Sequence, residues 1–252
     1  MSGSMNRSSK VPEVTLGFWI IKIAATTLGE TGGDTLSMSF HLGYAQSSLI
    51  FMVLFIGAIA LQMRAGAFHP WVYWFAIVST TLVGTTMADF ADRSLGIGYP
   101  GGSALLLAWV LLTLAVWRLS CGAVSAANIT SVKMEGFYWA TILASNTLGT
   151  ALGDFVSDGL NFGFAGGALF FCALLAGLAL LYSFTRLSHA MLFWAAFILT
   201  RALGATLGDL LTKPLAHGGF DLSRPESSGF IALFIMGCLV VLPQRAGSHR
   251  RA

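Results

Sequence analysis

Residues 19–34 read WIIKIAATTLGETGGD, and the framework of this stretch returns three more times along the chain. The later copies are WFAIVSTTLVGTTMAD at 74–89, WATILASNTLGTALGD at 139–154 and WAAFILTRALGATLGD at 194–209. Each copy begins with Trp, ends with Asp, and has a glycine five residues before the Asp and Gly or Ala directly before it. Another glycine follows nine residues after each Asp. This recurrence predicts four copies of one structural unit and singles out the four aspartates.

The composition is that of a membrane protein. Hydrophobic residues make up 56% of the chain and charged residues 10%, against roughly 25% charged in soluble domains. The mean hydropathy is +0.76. Eight apolar stretches approach the roughly 20 residues that cross a bilayer as a helix, and barrel-type alternation is absent. They are 15–36, 47–63, 71–91, 103–118, 136–157, 166–184, 190–211 and 228–243.

The repeats define the predicted fold class, an all-α integral membrane protein with eight transmembrane helices. Each repeat pairs an odd-numbered helix, which carries Trp and Asp, with a plain apolar even-numbered helix. Because each unit crosses the membrane twice, all four copies enter it in the same direction. The copies are therefore parallel and related by pseudo-symmetry about the membrane normal. Successive aspartates are 55, 65 and 55 residues apart, which indicates two similar halves. The predicted segments are a disordered cytoplasmic tail at 1–12, a first half at 13–120, a cytoplasmic linker at 121–134, a second half at 135–244 and a basic tail at 245–252.

Basic residues are distributed unevenly between the two predicted sides of the membrane. Eight crossings leave only Arg93, Lys213 and Arg224 on the aspartate side. The opposite side receives Arg7, Lys10, Arg64, Arg118, Lys133, Arg186, Arg245, Arg250 and Arg251. By the positive-inside rule, both termini are predicted to be cytoplasmic. Because these charges are spread over short loops and tails, they do not indicate a nucleic-acid partner, and the oligomeric state cannot be read from the sequence.

Helix geometry places the aspartates at one depth. Fifteen residues at 1.5 Å rise put each Asp ~22 Å from its Trp. We interpret the tryptophans as an aromatic belt at the cytoplasmic interface, so the aspartates are expected in the outer part of the bilayer. Small residues four apart, such as Gly29 and Gly33, predict close packing between helices.

The aspartates are the predicted cation site. Carboxylate and hydroxyl oxygens are the ligands that Mn²⁺, Ca²⁺ and Mg²⁺ prefer. The predicted metal ligands are Asp34, Asp89, Asp154, Asp209 and Glu30. The predicted supporting or coupling residues, mostly three positions from an Asp, are Thr31, Thr86, Thr206, Ser37, Asp92, Ser157, Thr212 and the helix residue Arg201. Two structural alternatives stay open, in which the acids hydrogen-bond loop amides or pair with Arg201 and Lys22.

Several other polar residues have their own interpretations. Arg201 replaces the Thr or Asn of the other copies and needs a partner, for which Asp209, Asp154 and Glu30 are candidates. Lys22 is expected to extend to the cytoplasmic interface. The histidines of the outer connections, His41 and His217, are expected to be surface residues. The repeated Gly-aromatic pair after each Asp predicts a tight turn.

Four motifs carry a family resemblance over the whole chain except its tails. They are TLGETGGDTLS at 27–37, TTMADFADRSLGIGYPGG at 85–102, TLGTALGDFVSDGLNFGFAGG at 147–167 and ALGATLGDLLTKPL at 202–215. The chain resembles a bacterial family of uncharacterised multi-pass "membrane-anchored" proteins, which implies a bacterial inner membrane location and no known activity. Residues 30–35, ETGGDT, are also loosely similar to the E-x-G-D motif of cation/proton exchangers, with an extra glycine and no basic residue.

These observations predict a transporter of a divalent metal cation, with the repeat aspartates as its site and the bilayer, the cation and protons as partners. Protons would compete with metal for buried carboxylates. The departures from fourfold repetition at Arg201 and Glu30 favour a gated exchanger over a pore. The alternatives are a pseudo-fourfold cation channel and a non-transporting scaffold or sensor. An enzyme is not predicted, because no nucleophile–base set, HExxH or phosphate loop occurs, and no bound cofactor is expected.

Overall fold

The described part of the chain forms eight α-helices. The computed structural model describes residues 10–124, 129 and 131–247. The helices are α1 (Leu16–Asp34), α2 (Gly43–Arg64), α3 (Pro70–Asp89), α4 (Gly98–Cys121), α5 (Val132–Asp154), α6 (Gly163–Phe184), α7 (His189–Thr212) and α8 (Arg224–Val241). Each predicted apolar stretch therefore corresponds to one helix.

Six helices of the described chain are long and apolar enough to cross a membrane: α2, α3 with its extension to Ser94, α4, α6, α7 and α8. The two others, α1 and α5, have similar lengths but carry many polar residues that are buried inside the protein. Thus α5 buries Asn146 and Thr150 along with most of its length. The prediction of a helical membrane protein agrees with these six helices.

The odd-numbered helices form a closed inner ring. Helix α1 packs against α3, α3 against α5, α5 against α7, and α7 against α1. The even-numbered helices lie outside, with α2 on α3, α4 on α5, α6 on α7 and α8 on α1. Each outer helix therefore packs on the inner helix of the next repeat, and its outward face exposes large apolar side chains such as Leu49, Leu111 and Leu169.

The glycine five residues before each Asp lets the inner helices approach closely. A Cβ on Gly29 would overlap Thr81 of α3, and one on Gly84 would press on the Asn146 backbone. A Cβ on Gly149 would likewise overlap Arg201 of α7, and one on Gly204 of α7 would overlap Thr26 of α1. The predicted close packing is thus present at all four interfaces of the ring, the closing one included.

Three inner helices continue past their Asp as a single π-helical turn, at Thr35–Ser39, Phe90–Ser94 and Phe155–Gly159. The fourth, α7, ends at Thr212 because Pro214 excludes helical backbone at the residue before it, and Lys213 is extended. The following glycines, Gly43, Gly98, Gly163 and Gly218, all have positive φ. These values confirm the predicted tight turns.

The repeat tryptophans are not an interfacial belt, and that interpretation was wrong. Trp74, Trp139 and Trp194 are buried, and Trp19 is half-buried. Each follows another aromatic residue, and these eight rings form a layer across the inner bundle, which we call the aromatic layer. Its contacts between repeats are Phe18–Trp74, Tyr73–Trp139, Tyr138–Trp194 and Phe193–Trp19, with ring centroids 5.5, 5.7, 6.1 and 6.0 Å apart.

Both ends of the described chain lie beside the aromatic layer. The backbone of Glu13 donates to Arg245 and that of Gly247 donates to Val11, each at 2.9 Å. Lys10 forms a 3.0 Å ion pair with Glu135 of α5. Residues 10–12 and 245–247, predicted as parts of two tails, are therefore ordered and paired. Residues 1–9 and 248–252, and part of the predicted linker at 125–128 and 130, lie outside the described residues.

Candidate functional site

Five carboxylates converge at the end of the inner ring opposite the aromatic layer, which we call the aspartate end. Four are the repeat aspartates, which end α1, α3 and α5 and lie in the last turn of α7, and the fifth is Glu30. Ligand oxygens of Glu30, Asp34 and Asp89 lie within 4.8 Å of one another, and so do those of Glu30, Asp154 and Asp209. Because Glu30 belongs to both sets, the five acids form one cluster. None is more than 2% exposed.

Their position creates a need for positive charge. A helix C-terminus carries partial negative charge, which disfavours a carboxylate there, and a buried carboxylate is costly unless it is paired. Each of the four inner helices has a buried carboxylate in or directly after its last turn, and these four helix ends meet at the aspartate end. Basic partners or cations are therefore expected at the aspartate end.

Arg93 and Lys213 supply most of this charge. Arg93 lies 3.1 Å from Asp89 through Nε and 3.2 Å from Asp154 through Nη2. Lys213 Nζ lies 3.0 Å from both Asp209 and Asp34. Each base therefore bridges the Asp of its own repeat and the Asp of the next repeat around the ring.

The sequence did not identify Arg93 and Lys213 as part of the site. It placed them only among the basic residues on the aspartate side of the membrane. The available signal was their spacing, because each lies four residues after a repeat Asp and so on the same helix face. Burial lowers the pKa of Lys213, but Asp209 and Asp34 outweigh it and hold that pKa well above its ordinary value. Lys213 is therefore a cation at neutral pH. A further base, Arg224 of α8, lies 3.6 Å from Asp34.

Arg201 pairs with Glu30, one of its three candidate partners. Its Nη2 lies 3.0 Å from Glu30 Oε2 and also donates to Thr85 Oγ1, while Nη1 donates to the Thr26 carbonyl. Arg201 is fully buried. Glu30 fits beside it because the neighbouring position on α7 is Gly208, where a Cβ would overlap the Glu30 side chain.

Lys22 does not reach the surface, and the expectation that it would was wrong. Its side chain is fully buried in the inner ring, donates to Asn146 Oδ1 at 3.1 Å and lies 3.9 Å from the centre of the Phe197 ring. Asn146 in turn donates to Thr80 at 2.7 Å. Between the carboxylates and the aromatic layer, the bundle is thus filled by a polar layer that holds two buried bases.

Carboxylate oxygens with no hydrogen bond remain in the cluster. Among the described side chains, Asp34 Oδ1, Asp89 Oδ2 and Asp154 Oδ1 are buried and lack a hydrogen-bond partner. None of the three atoms takes part in the ion pairs with Arg93, Lys213 and Arg224. They are available to a further cation.

The predicted supporting residues mostly bond elsewhere. Thr86, Thr206, Ser37 and Thr212 donate to carbonyls of their own helices. Thr31 accepts from Ser228 of α8 at 2.9 Å.

Two others face the outer helices. Asp92 lies against Gly102 of α4 and Ser157 against Gly167 of α6, and neither side chain makes a hydrogen bond. A hydroxyl outside the predicted set, that of Thr85, donates to Glu30 Oε2 at 3.3 Å. His41 and His217 are exposed, as expected for surface residues.

The family comparison matches this repeat structure. Four stretches, 17–68, 72–122, 137–188 and 192–244, match the family model described as "Repeat of Unknown Function (DUF347)". The chain belongs to this family. Each stretch begins just before a repeat Trp and contains one inner and one outer helix. No curated protein and no solved structure matches the chain.

Proposed function

We propose that this protein is a membrane transporter of a divalent metal cation, with Glu30, Asp34, Asp89, Asp154 and Asp209 as the binding site. The observation that carries the proposal is the convergence of five buried carboxylates at one end of the inner ring, as two sets of three that share Glu30. Oxygen ligands of this kind suit Mn²⁺, Mg²⁺ or Ca²⁺.

In this proposal all eight helices cross a bacterial inner membrane, with the four repeats arranged about a pseudo-fourfold axis. The aspartate end faces outward and the aromatic layer faces the cytoplasm, as the distribution of basic residues favours. The polar residues of α1 and α5 are compatible with membrane crossing because the outer helices separate them from lipid.

A carrier is favoured over an open channel. The carboxylates are occluded, and the aromatic layer closes the other end of the inner ring. Passage of an ion then requires the inner helices to move apart, which is an alternating-access motion and not diffusion through a fixed pore.

Flux in proteoliposomes tests the function. Uptake of Mn²⁺ by the full chain should fall about tenfold or more in each of the variants Asp34→Asn, Asp89→Asn, Asp154→Asn and Asp209→Asn, because each loses a charged ligand. Asp158→Asn is the matched control, since that acid is exposed near the aspartate end. Intact flux in all four variants would sink the proposal.

The second candidate is a non-transporting scaffold or sensor, and the ion pairs favour it. Four bases, Arg93, Arg201, Lys213 and Arg224, lie within 4 Å of the five acids, which is how charges are arranged when they lock a bundle. In that case the aspartate variants would unfold at lower temperature, and the wild-type protein would carry no Mn²⁺, Mg²⁺ or Ca²⁺.

A further inference from the structure

Arg93 and Lys213, two of the four bases in the cluster, break the fourfold repetition in a regular way. The position four residues after the Asp is Met38, Arg93, Asp158 and Lys213 in the successive repeats. Only the second and fourth repeats place a base there, and each base bridges two neighbouring aspartates. The pair therefore holds all four repeat aspartates, two for each base.

The charges of these bases match those of one divalent ion. Arg93 and Lys213 together bring two positive charges to the aspartates, as one Mn²⁺ would. Replacement of both bases by the metal keeps the net charge of the cluster constant, whereas a monovalent ion leaves an excess of buried negative charge, which is costly. Arg201, which is fully buried on Glu30, and Arg224, which belongs to α8 and lies 3.6 Å from Asp34, are not part of this exchange.

Like Arg224 of α8, Arg93 and Lys213 are more accessible than the acids of the cluster. Their side chains are 27% and 12% exposed, while the aspartates they hold are almost fully buried. Arg93 belongs to a π-helical turn and Lys213 to the extended residue after α7. Both therefore lie at the mouth of the site, where they can leave it without a rearrangement of the inner ring.

We propose that Arg93 and Lys213 are tethered counter-cations, which a divalent ion displaces on binding and which reoccupy the aspartates when the ion leaves. This inference rests on the proposed transport function and deepens it. The empty carrier then crosses back with its own two cations in place, so the return step needs no bound proton. Selectivity for divalent over monovalent ions follows from the same charge balance.

Binding and two modes of flux test this in the variants Arg93→Met, Lys213→Met and their double. Without the competing charges, the affinity of the double variant for Mn²⁺ should rise about tenfold or more, since the metal no longer displaces a cation. Net Mn²⁺ uptake should fall about tenfold, because the empty site now carries uncompensated charge. Exchange of labelled for unlabelled Mn²⁺ across the membrane should persist, since in this mode the carrier crosses with metal bound in both directions and never returns empty.

The controls separate charge from folding. Lys213→Arg and Arg93→Lys keep the charge and should lose much less net uptake than the Met variants. Arg186→Met, which removes an exposed base from the opposite end of the bundle, should leave net uptake unchanged. If the double variant does not purify as a single species, the single Lys213→Met variant should show the same changes in smaller size. Unchanged or weaker Mn²⁺ binding in a folded variant, or unchanged net uptake, would overturn the inference.

A chemical readout on the wild-type protein is independent of transport. Reductive methylation of Lys213, followed by mass spectrometry, should be faster with Mn²⁺ than without it, because the displaced amine moves into solvent. Slower methylation with Mn²⁺ would contradict displacement. If wild-type protein neither binds nor carries Mn²⁺, Mg²⁺ or Ca²⁺, the proposed function fails. If it does and the base variants behave like wild type, only the tethered-cation inference fails.

Discussion

At the scale of single residues, buried charge dominates this protein. Glu30 and Arg201 are both buried and lie 3.0 Å apart, and Lys22 is buried with an amide and an aromatic face as its neighbours. Such groups cost free energy to bury and are retained where they set specificity or do chemistry. The repeats otherwise carry Thr, Asn or apolar residues at these positions, so the charged residues mark where the four copies have diverged.

The Arg201–Glu30 pair is expected to behave as a coupled unit. Arg201→Met should lower the free energy of unfolding by about 3–5 kcal/mol, because it leaves Glu30 buried without its partner. The double variant Arg201→Met/Glu30→Gln should be more stable than Arg201→Met alone, since no uncompensated charge remains. Thermal unfolding in detergent measures the stability of these variants and of Glu30→Gln. If the double variant loses as much stability as the two single variants added together, the two residues act independently.

At the scale of helices, glycines set the spacing of the inner ring. The glycine five residues before each Asp rests on the next inner helix, and at the last interface Gly204 of α7 rests on Thr26 of α1. In lipid, where helices gain little from apolar burial against each other, close backbone approach is a main source of packing energy. The same glycines thereby bring the four aspartates together.

Gly204→Ala should therefore destabilise the protein by about 1–3 kcal/mol, the usual cost of overpacking. Gly177→Ala is the matched control, because Gly177 lies in α6 with open space around its Cα. That substitution should be neutral or slightly stabilising, as Ala is the better helix former. Equal effects of the two substitutions on the unfolding temperature would refute the packing role of Gly204.

The sequence predicted the helices well and their contacts only in part. Apolar length and the Trp–Asp repeat locate all eight helices, since both are local properties of the chain. The number of repeats also predicts one depth for Asp34 and its three counterparts. The repeat does not show that Trp74 faces inward, because a tryptophan at a helix end is equally suited to a lipid interface and to a protein interior.

At the scale of the whole molecule, the inner ring is built in layers along its axis. Carboxylates with their bases occupy one end, the polar residues Lys22, Thr80, Asn146 and Arg201 lie next, and the aromatic layer closes the other end. Every layer takes one residue or more from each repeat, so the layers join the repeats to one another. The outer helices contribute the apolar surface that surrounds this polar interior.

The aromatic layer should be essential for stability. Trp139→Ala should cost about 3–5 kcal/mol of unfolding free energy, the range for removal of a large buried ring, because Trp139 contacts Tyr73 and Tyr138. Trp71→Ala is the control, since that tryptophan of α3 is 46% exposed on the outer face. The thermal unfolding temperature should fall clearly for the first variant and little for the second. Similar falls for both would mean that the layer is not a packed core.

The sequence by itself determined the apolar helical character, the four repeats, the eight helices and the position of the repeat aspartates at one end of the inner helices, because composition and periodicity follow from local chemistry. Only the tertiary structure decided that the five acids meet, that Arg93 and Lys213 bridge them, that Arg201 selects Glu30, and that Lys22 and the tryptophans lie inside. These are contacts between residues far apart in the chain. The physical reason is the closure of the ring: the partner of each side chain is fixed by the neighbouring helix, and that neighbour is known only once α7 has packed on α1.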